Sequence, residues 1–309
     1  MFDKKVSIIG AGFVGSTIAF SLVLKSLVKE VVLIDTDIKK ADAESLDILC
    51  GVRQENNTTI KSGDYYDLED SDVIIITAGR GRKPGESRLD LISDNSNIAK
   101  EISKNIRRHS TNAMFIVVSN PVDLITSMYF DYLDVPKKRI FGTGCSLDCS
   151  RLIGVLSKLL CVSNQDIYVS IIGEHGDRSI ILWEAIKIKG LSLATFCKLN
   201  GIDWDDRIKG EIESEVKSMG SNIISGKGKT QFGISSSVCE ILESLFKNDN
   251  KIWSLSLIDQ SFGKTIAYSL PCIFANGSIQ EVDFELTSNE NRNLTKTIEE
   301  FLNYRRKEM

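Results

Sequence analysis

Lys5-Val6-Ser7-Ile8-Ile9-Gly10-Ala11-Gly12-Phe13-Val14-Gly15 opens as a short β-rich run and closes on glycines spaced G-x-G-x-x-G. Alone this is a weak signal, because ordinary turns also use glycine. Its surroundings give it meaning. From Val14 to Val28 apolar residues recur at helical spacing (Val14, Ile18, Leu22, Leu27), and a second buried strand, Val31 to Ile34, ends in Asp35. In such a βαβ unit the first glycine turns the chain, the second lets backbone approach a pyrophosphate, and the third lets helix pack on strand. The free N–H groups at the helix start then face the phosphates. Asp35 is placed to accept from both ribose hydroxyls of an adenosine and to repel a 2′-phosphate. The dinucleotide site is therefore predicted at Gly10, Gly12, Phe13, Val14, Gly15 and Asp35, with NAD favoured over NADP.

The pattern continues outward. Asp72–Thr77 (DVIIIT) and Met114–Val118 (MFIVV) are apolar enough to be parallel strands buried on both faces. Between them Ile98, Ile102 and Ile106 share a helical stripe over Asn97–Arg108. Strands and helices in this alternation predict an α/β fold with a doubly wound sheet. The second half reads as mixed α/β: helix over Leu147–Leu160, strands over Ile167–Ile172 and Ile180–Ile188, then helices over Asp205–Ser225 and Thr230–Phe246. Antiparallel strands are predicted over Ile252–Leu257 and Cys272–Val282, the latter turning at Asn276-Gly277, before a closing helix over Ser288–Arg306. The boundary is expected near Gly142–Gly144, giving domains 1–143 and 144–309.

Composition excludes more than it names. The chain has 309 residues, with 38 basic against 42 acidic side chains and a formal charge of −4. Nucleic acid asks for a basic face and is not expected as a partner. No apolar run approaches a membrane span, and the early start of the first strand predicts no signal peptide. The seven cysteines form no C-x-x-C pair and no histidine lies near a pair, so no metal site and no thioredoxin-like chemistry are expected. They are predicted to be small buried hydrophobes in a protein of the reducing cytoplasm.

Chemistry near neutral pH by imidazole must come from one of two histidines, His109 or His175. His109 follows Arg107 and Arg108 at the polar end of a helix and reads as a surface residue. His175 sits in Gly173-Glu174-His175-Gly176-Asp177 at the end of a strand, where α/β enzymes hold their chemistry. Asp148 and Arg151 lie three apart on one face of an otherwise apolar helix, where the bland reading is a local ion pair. Arg80, Arg82 and Arg88 occupy a loop that could simply be solvated, and Asn120-Pro121 follows the MFIVVS strand.

The chain resembles the L-lactate/malate dehydrogenase family over essentially its whole length. The matching stretches are IIGAGFVGS, VVLIDTD, TAGRGRKPGESRLDL, VVSNPVDLIT, GTGCSLDCSR and IIGEHGD, in family order. The resemblance implies a Rossmann-type first domain and a mixed α/β substrate domain. It implies hydride transfer between NAD and a small 2-hydroxy or 2-oxo acid. Carried over by position, His175 matches the acid/base and Asp148 the carboxylate that orients it. Arg151 matches the clamp on the substrate carboxylate, and Arg88 the mobile-loop arginine. Asn120 falls near the substrate oxygen and nicotinamide, and Ile234 where an apolar side chain packs on the nicotinamide. Thr77, Ala78 and Gly79 complete the cofactor set, and Thr230 lines the substrate pocket. A retained NAD-binding chain without turnover is the alternative, but this catalytic set is complete.

The substrate side chain divides the resemblance. Arg82 stands where lactate enzymes usually have glutamine and malate enzymes arginine, and an unpaired desolvated charge there costs roughly 2–5 kcal/mol. Glu86 and Thr230 are lactate-like. The charge outweighs them, so the expectation leans slightly to malate, with lactate or a bulkier 2-oxo acid as alternatives. Ile153 and Tyr168 stand where many bacterial lactate enzymes bind fructose bisphosphate through arginine and histidine, so no activation by it is expected. A homodimer or homotetramer is implied.

Overall fold

The computed structural model describes residues 1–51, 57–81, 88–109 and 112–307. The first half of the chain forms β1 (Phe2–Ile9), α1 (Phe13–Leu24), β2 (Val28–Ile34), α2 (Ile38–Cys50), β3 (Thr59–Ser62), β4 (Val73–Ile76), α3 (Arg88–Ile106), β5 (Met114–Val117), α4 (Val122–Leu133) and β6 (Ile140–Gly142). The strands pair in parallel in the order β3-β2-β1-β4-β5-β6. Val6, Ile8, Val31, Leu33, Ile74 and Ile75 have no exposed surface, because helices cover both faces. The strand order reverses between β1 and β4, which opens a crevice at their carboxyl ends. Helix α1 stops at Leu24, short of the expected Val28. Ser26 takes a positive φ of 48°, and Val28 already pairs with Phe2.

The second half adds α5 (Ser146–Leu160), β7 (Ile167–Tyr168), β8 (Ile171–Gly173), β9 (Ser179–Ile181), β10 (Lys187–Ile188), β11 (Leu191–Ser192), α6 (Leu193–Leu199), α7 (Asp206–Lys227), α8 (Phe232–Lys247), β12 (Trp253–Asp259), β13 (Ile266–Ala275), β14 (Ser278–Glu281) and α9 (Ser288–Lys307). The large sheet runs on from β6 through β12, β13, β8 and β9, now antiparallel, and β14 folds back on β13 around Asn276-Gly277. A small sheet, β11-β10-β7, stands apart.

Two expected strands are corrected. Ile167–Ile172 divides into β7 and β8, which belong to different sheets, and Ile180–Ile188 is broken by a 3₁₀ turn at Trp183–Ala185. The reason is a divided core. Ile172, Ile180 and Leu182 pack into the core of the large sheet, whereas Ile167, Ile171, Ile181 and Ile186 pack into a second one around α5 and α7. An apolar run that serves two cores cannot stay straight.

The cysteines are all free. Cys145, Cys197, Cys239 and Cys272 are buried as expected and Cys149 is half-buried, but Cys50 and Cys161 are exposed at helix ends. Among the described residues no helix is long and apolar enough to cross a membrane.

Candidate active site

The glycine loop has the close contacts that its spacing requires. Gly10 holds φ +109°, and a Cβ there would lie 2.7 Å from the Ala78 nitrogen and the Thr77 Oγ1. At Gly15 a Cβ would meet the Gly10 carbonyl oxygen at 1.9 Å, so only glycine lets α1 sit this close to β1. Gly12 differs: as the N-cap of α1 it has nothing within 4 Å of its Cβ position. It faces a groove of about 430 Å³ that Gly10, Asp35, Thr77, Ala78 and Gly79 also line. Asp35 Oδ2 accepts from the Ala11 N–H at 2.7 Å and Oδ1 from the Asp37 N–H at 3.0 Å. A carboxylate offers about four lone-pair sites, so acceptor capacity remains for ribose hydroxyls. Tyr65 and Ile98 add an apolar wall. Phe13 lies outside this lining; its ring is exposed at the helix start beneath the Lys229 ammonium.

Thr77, Gly79 and Arg80 also line a second cavity, of about 220 Å³, so the two spaces meet there. Its walls bring together Val14 of α1, Asn120 after β5, Arg151 of α5, His175 after β8, and Thr230 and Ile234 before and within α8. Within it, His175 Nδ1 lies 2.7 Å from Asp148 Oδ2, and Arg151 Nη1 donates to Asp148 Oδ1 at 2.9 Å. Burial alone would push the imidazole pKa down. The charge and hydrogen bond of Asp148, helped by Asp123, outweigh it and hold His175 above the ordinary histidine value, against a smaller opposing effect of Arg151. Burial likewise pushes Asp148 up, but His175 and Arg151 together hold it below the usual carboxylate range. The arrangement is a proton-bearing ring, a carboxylate that fixes it, and a guanidinium with donors to spare.

Residues 4–142 match the family profile described as lactate/malate dehydrogenase, NAD binding domain, and residues 145–308 match the alpha/beta C-terminal domain of the same family. The chain belongs to the lactate/malate dehydrogenase family. It is an NAD-dependent oxidoreductase acting on a CH–OH group. An L-lactate dehydrogenase of Clostridium perfringens is 39% identical over 299 residues, covering 96% of this chain and 94% of that one. L-lactate dehydrogenase 1 of Clostridium acetobutylicum is 37% identical over 306 residues, covering 97% and 98%. Among solved structures, L-lactate dehydrogenase from Clostridium thermocellum superposes with a TM-score of 0.85 at 36% identity, covering 98% and 99%. The minor L-lactate dehydrogenase of Enterococcus mundtii superposes with a TM-score of 0.92 at 29% identity, covering 98% and 97%.

The family's cofactor is NAD, and the residues of the groove fit that group: open space at Gly12, a fixed Asp35, and the N-terminus of α1. Some positions that the sequence singles out stand elsewhere. Arg82 and Glu86 lie outside the described residues, and Arg88 begins α3 with a side chain also outside them. Arg80 donates through Nε to Asp94 at 2.6 Å. His109 is not the surface residue expected: its side chain packs edge-on against Tyr66 and is only 9% exposed.

Sequence reading missed several groups around His175. Asp123, buried in the first turn of α4, accepts the His175 backbone N–H on Oδ2 at 2.8 Å and the Ser256 hydroxyl on Oδ1. Burial raises its pKa most, its two hydrogen bonds and the His175 charge lower it, and the neighbouring Glu174 charge raises it, to about 6 overall. Glu174 itself is buried and pairs with Arg178 at 3.2 Å, and Arg178 reaches Glu300 of α9 at 2.6 Å.

Proposed function

We propose that this dehydrogenase acts on L-lactate and pyruvate. The reading rests on the hydrogen-bonded chain Arg151–Asp148–His175, whose two ends line one small cavity with Asn120, Thr230 and Ile234. NAD, when bound in the adjoining groove, supplies the hydride acceptor for oxidation and the donor for reduction. In reduction, protonated His175 gives its Nε2 proton to the substrate carbonyl oxygen; in oxidation, neutral His175 takes the hydroxyl proton. Asp148 keeps the other proton on Nδ1 and stabilises the imidazolium. Arg151, one arm on Asp148, binds the substrate carboxylate with its remaining donors. By the family resemblance Arg88 would polarise the carbonyl, Asn120 would stand near that oxygen, Ile234 would pack against the nicotinamide, and Thr230 would narrow the substrate pocket.

The lean to malate finds no support. The relatives named above are lactate dehydrogenases, and Arg82, its whole basis, lies outside the described residues. The second reading survives only through that arginine. One assay decides between them: kcat/KM with NADH for pyruvate, oxaloacetate and a branched 2-oxo acid. Preference for pyruvate is expected, and a clear preference for oxaloacetate would overturn it. Loss of turnover in His175→Ala and Arg151→Leu, with NADH binding kept, tests the assigned roles.

The division into 1–143 and 144–309 is part of this reading, supported by the two family profiles meeting there. So is a homo-oligomer: Phe20, Leu24, Ile38, Leu46 and Leu49 of α1 and α2 are exposed, a set that a subunit contact would remove from water. Light scattering on the purified protein would report its mass. Free thiols throughout suit a cytoplasmic location.

A further inference from the structure

His175 is gripped twice, by different carboxylates and at different atoms. Asp148 takes the ring Nδ1, which sets tautomer and ring rotation. Asp123 takes the backbone N–H of the same residue, which sets where the ring is hung. The two carboxylates come from different helices. Asp148 shares α5 with Arg151, whereas Asp123 lies three residues after Asn120, in the first turn of α4. Its other oxygen is held by Ser256 at the middle of β12, where that strand pairs with Gly142 of β6. One buried carboxyl thus ties together the Asn120 turn, the strand pair that joins the parallel and antiparallel parts of the sheet, and the His175 main chain.

A buried carboxylate is costly to desolvate, and at Asp123 it presents two acceptor oxygens where an amide would present one acceptor and one donor. The position of Asp123 shows what its contacts secure. Asn120 and His175 line the same cavity from different elements, and a substrate oxygen must be within reach of both. Resting on the reading of His175 as the proton carrier, we propose that Asp123 is a positioning residue for proton transfer: it fixes the His175 main chain relative to Asn120, so that the ring meets a substrate oxygen in reach of both.

The test uses the full chain with NADH and pyruvate. Asp123→Ala removes both contacts. It is expected to lower kcat by about 100-fold, as small misplacements of reacting groups do, while the NADH dissociation constant, read by fluorescence, stays near that of the wild type. Hydride transfer then limits turnover, so the isotope effect of deuterated NADH on kcat rises. Asp123→Asn can still accept from the His175 N–H and donate to Ser256, so most of kcat returns. The charged groups acting on the ring in that variant are Asp148 and Arg151 from α5. With one negative charge lost, the alkaline limb of pyruvate reduction moves to lower pH. Ser256→Ala, which leaves the His175 contact in place, lowers kcat less than Asp123→Ala.

Wild-type kcat in a folded, NADH-binding Asp123→Ala overturns the proposal, and so does equal damage in the Ala and Asn variants. If Asp123→Ala does not fold, the Asn variant and Ser256→Ala carry the test by themselves, through kcat, isotope effect and pH limb. His175→Ala separates the two claims. If it is inactive while Asp123→Ala turns over normally, only the role of Asp123 fails; if it is active, the reading of the site fails with it.

Discussion

Asp148→Asn probes the centre of the site with almost no change in shape. The carboxylate holds the His175 ring at 2.7 Å and the Arg151 guanidinium at 2.9 Å, and is itself nearly buried. A hydrogen bond to a charged partner contributes about 1.5–3 kcal/mol. Losing that support for the imidazolium lowers kcat/KM for pyruvate reduction at neutral pH by about ten- to hundredfold. Direction matters as well as size. Asp148 raises the His175 pKa, while Arg151, which remains in the variant, lowers it. With the protonated ring as the proposed donor in reduction, the alkaline limb of the kcat/KM profile moves to lower pH. Oxidation of lactate needs the neutral ring and loses less at the same pH, while NADH affinity is unchanged. The assay is a pair of pH profiles, one in each direction, with a fluorescence titration of NADH. A reduction limb that stays in place, or equal losses in both directions at every pH, would refute the argument.

Gly15→Ala puts a Cβ 1.9 Å from the Gly10 carbonyl oxygen and 2.9 Å from Thr77 Oγ1, so α1 must move off β1. The expected cost is about 1–3 kcal/mol, read as a lower Tm without cofactor; an unchanged Tm would contradict the packing. Asp123 carries a pKa of about 6 against 3.8 for the free side chain. The native state therefore binds its proton more tightly than the unfolded chain, and stability falls as pH rises from about 4 to 6. Asp123→Asn escapes that loss and should be more stable at pH 7.5 by up to about 3 kcal/mol, with no gain below pH 4. Equal stability of the two proteins at both pH values would show the charge is not strained. Fructose bisphosphate is expected to leave the KM for pyruvate unchanged, since Ile153 is partly buried in the second core and Tyr168 is exposed and uncharged. A tenfold fall in KM would count against this.

The parts of the site that were legible in sequence are those where chemistry demands a residue type at a fixed spacing. The glycines of the first turn, Asp35 at the end of β2, and His175 among glycines at a strand end all belong here. Strands β1, β2, β4 and β5 were legible because burial on both faces writes an unbroken apolar run, whereas the edge strand β3, whose burial is interrupted, and the short β6 were not. Helix α2 was not, because Ile38, Leu46 and Leu49 point outward and only Ala41, Ser45 and Ile48 are buried, which blurs the stripe. Strands β7 to β10 were misread because alternate isoleucines serve different cores. Asp123 was invisible for another reason. An acid in the first turn of a helix looks like an ordinary solvated partner of the helix dipole. Its meaning comes from His175 and Ser256, 52 and 133 residues further on, which only the fold brings to it.

Helix α9 is remote in sequence from the His175 loop, yet Glu300 within it holds Arg178, which in turn holds Glu174, the residue before His175. Arg305 bonds the Thr265 carbonyl oxygen and Asp131 of α4 as well. Arg178 and Glu300 are thus tied across more than a hundred positions of chain. A chain cut before Ser288 would keep the parallel sheet and its groove, but the loop bearing His175 would lose one of its anchors.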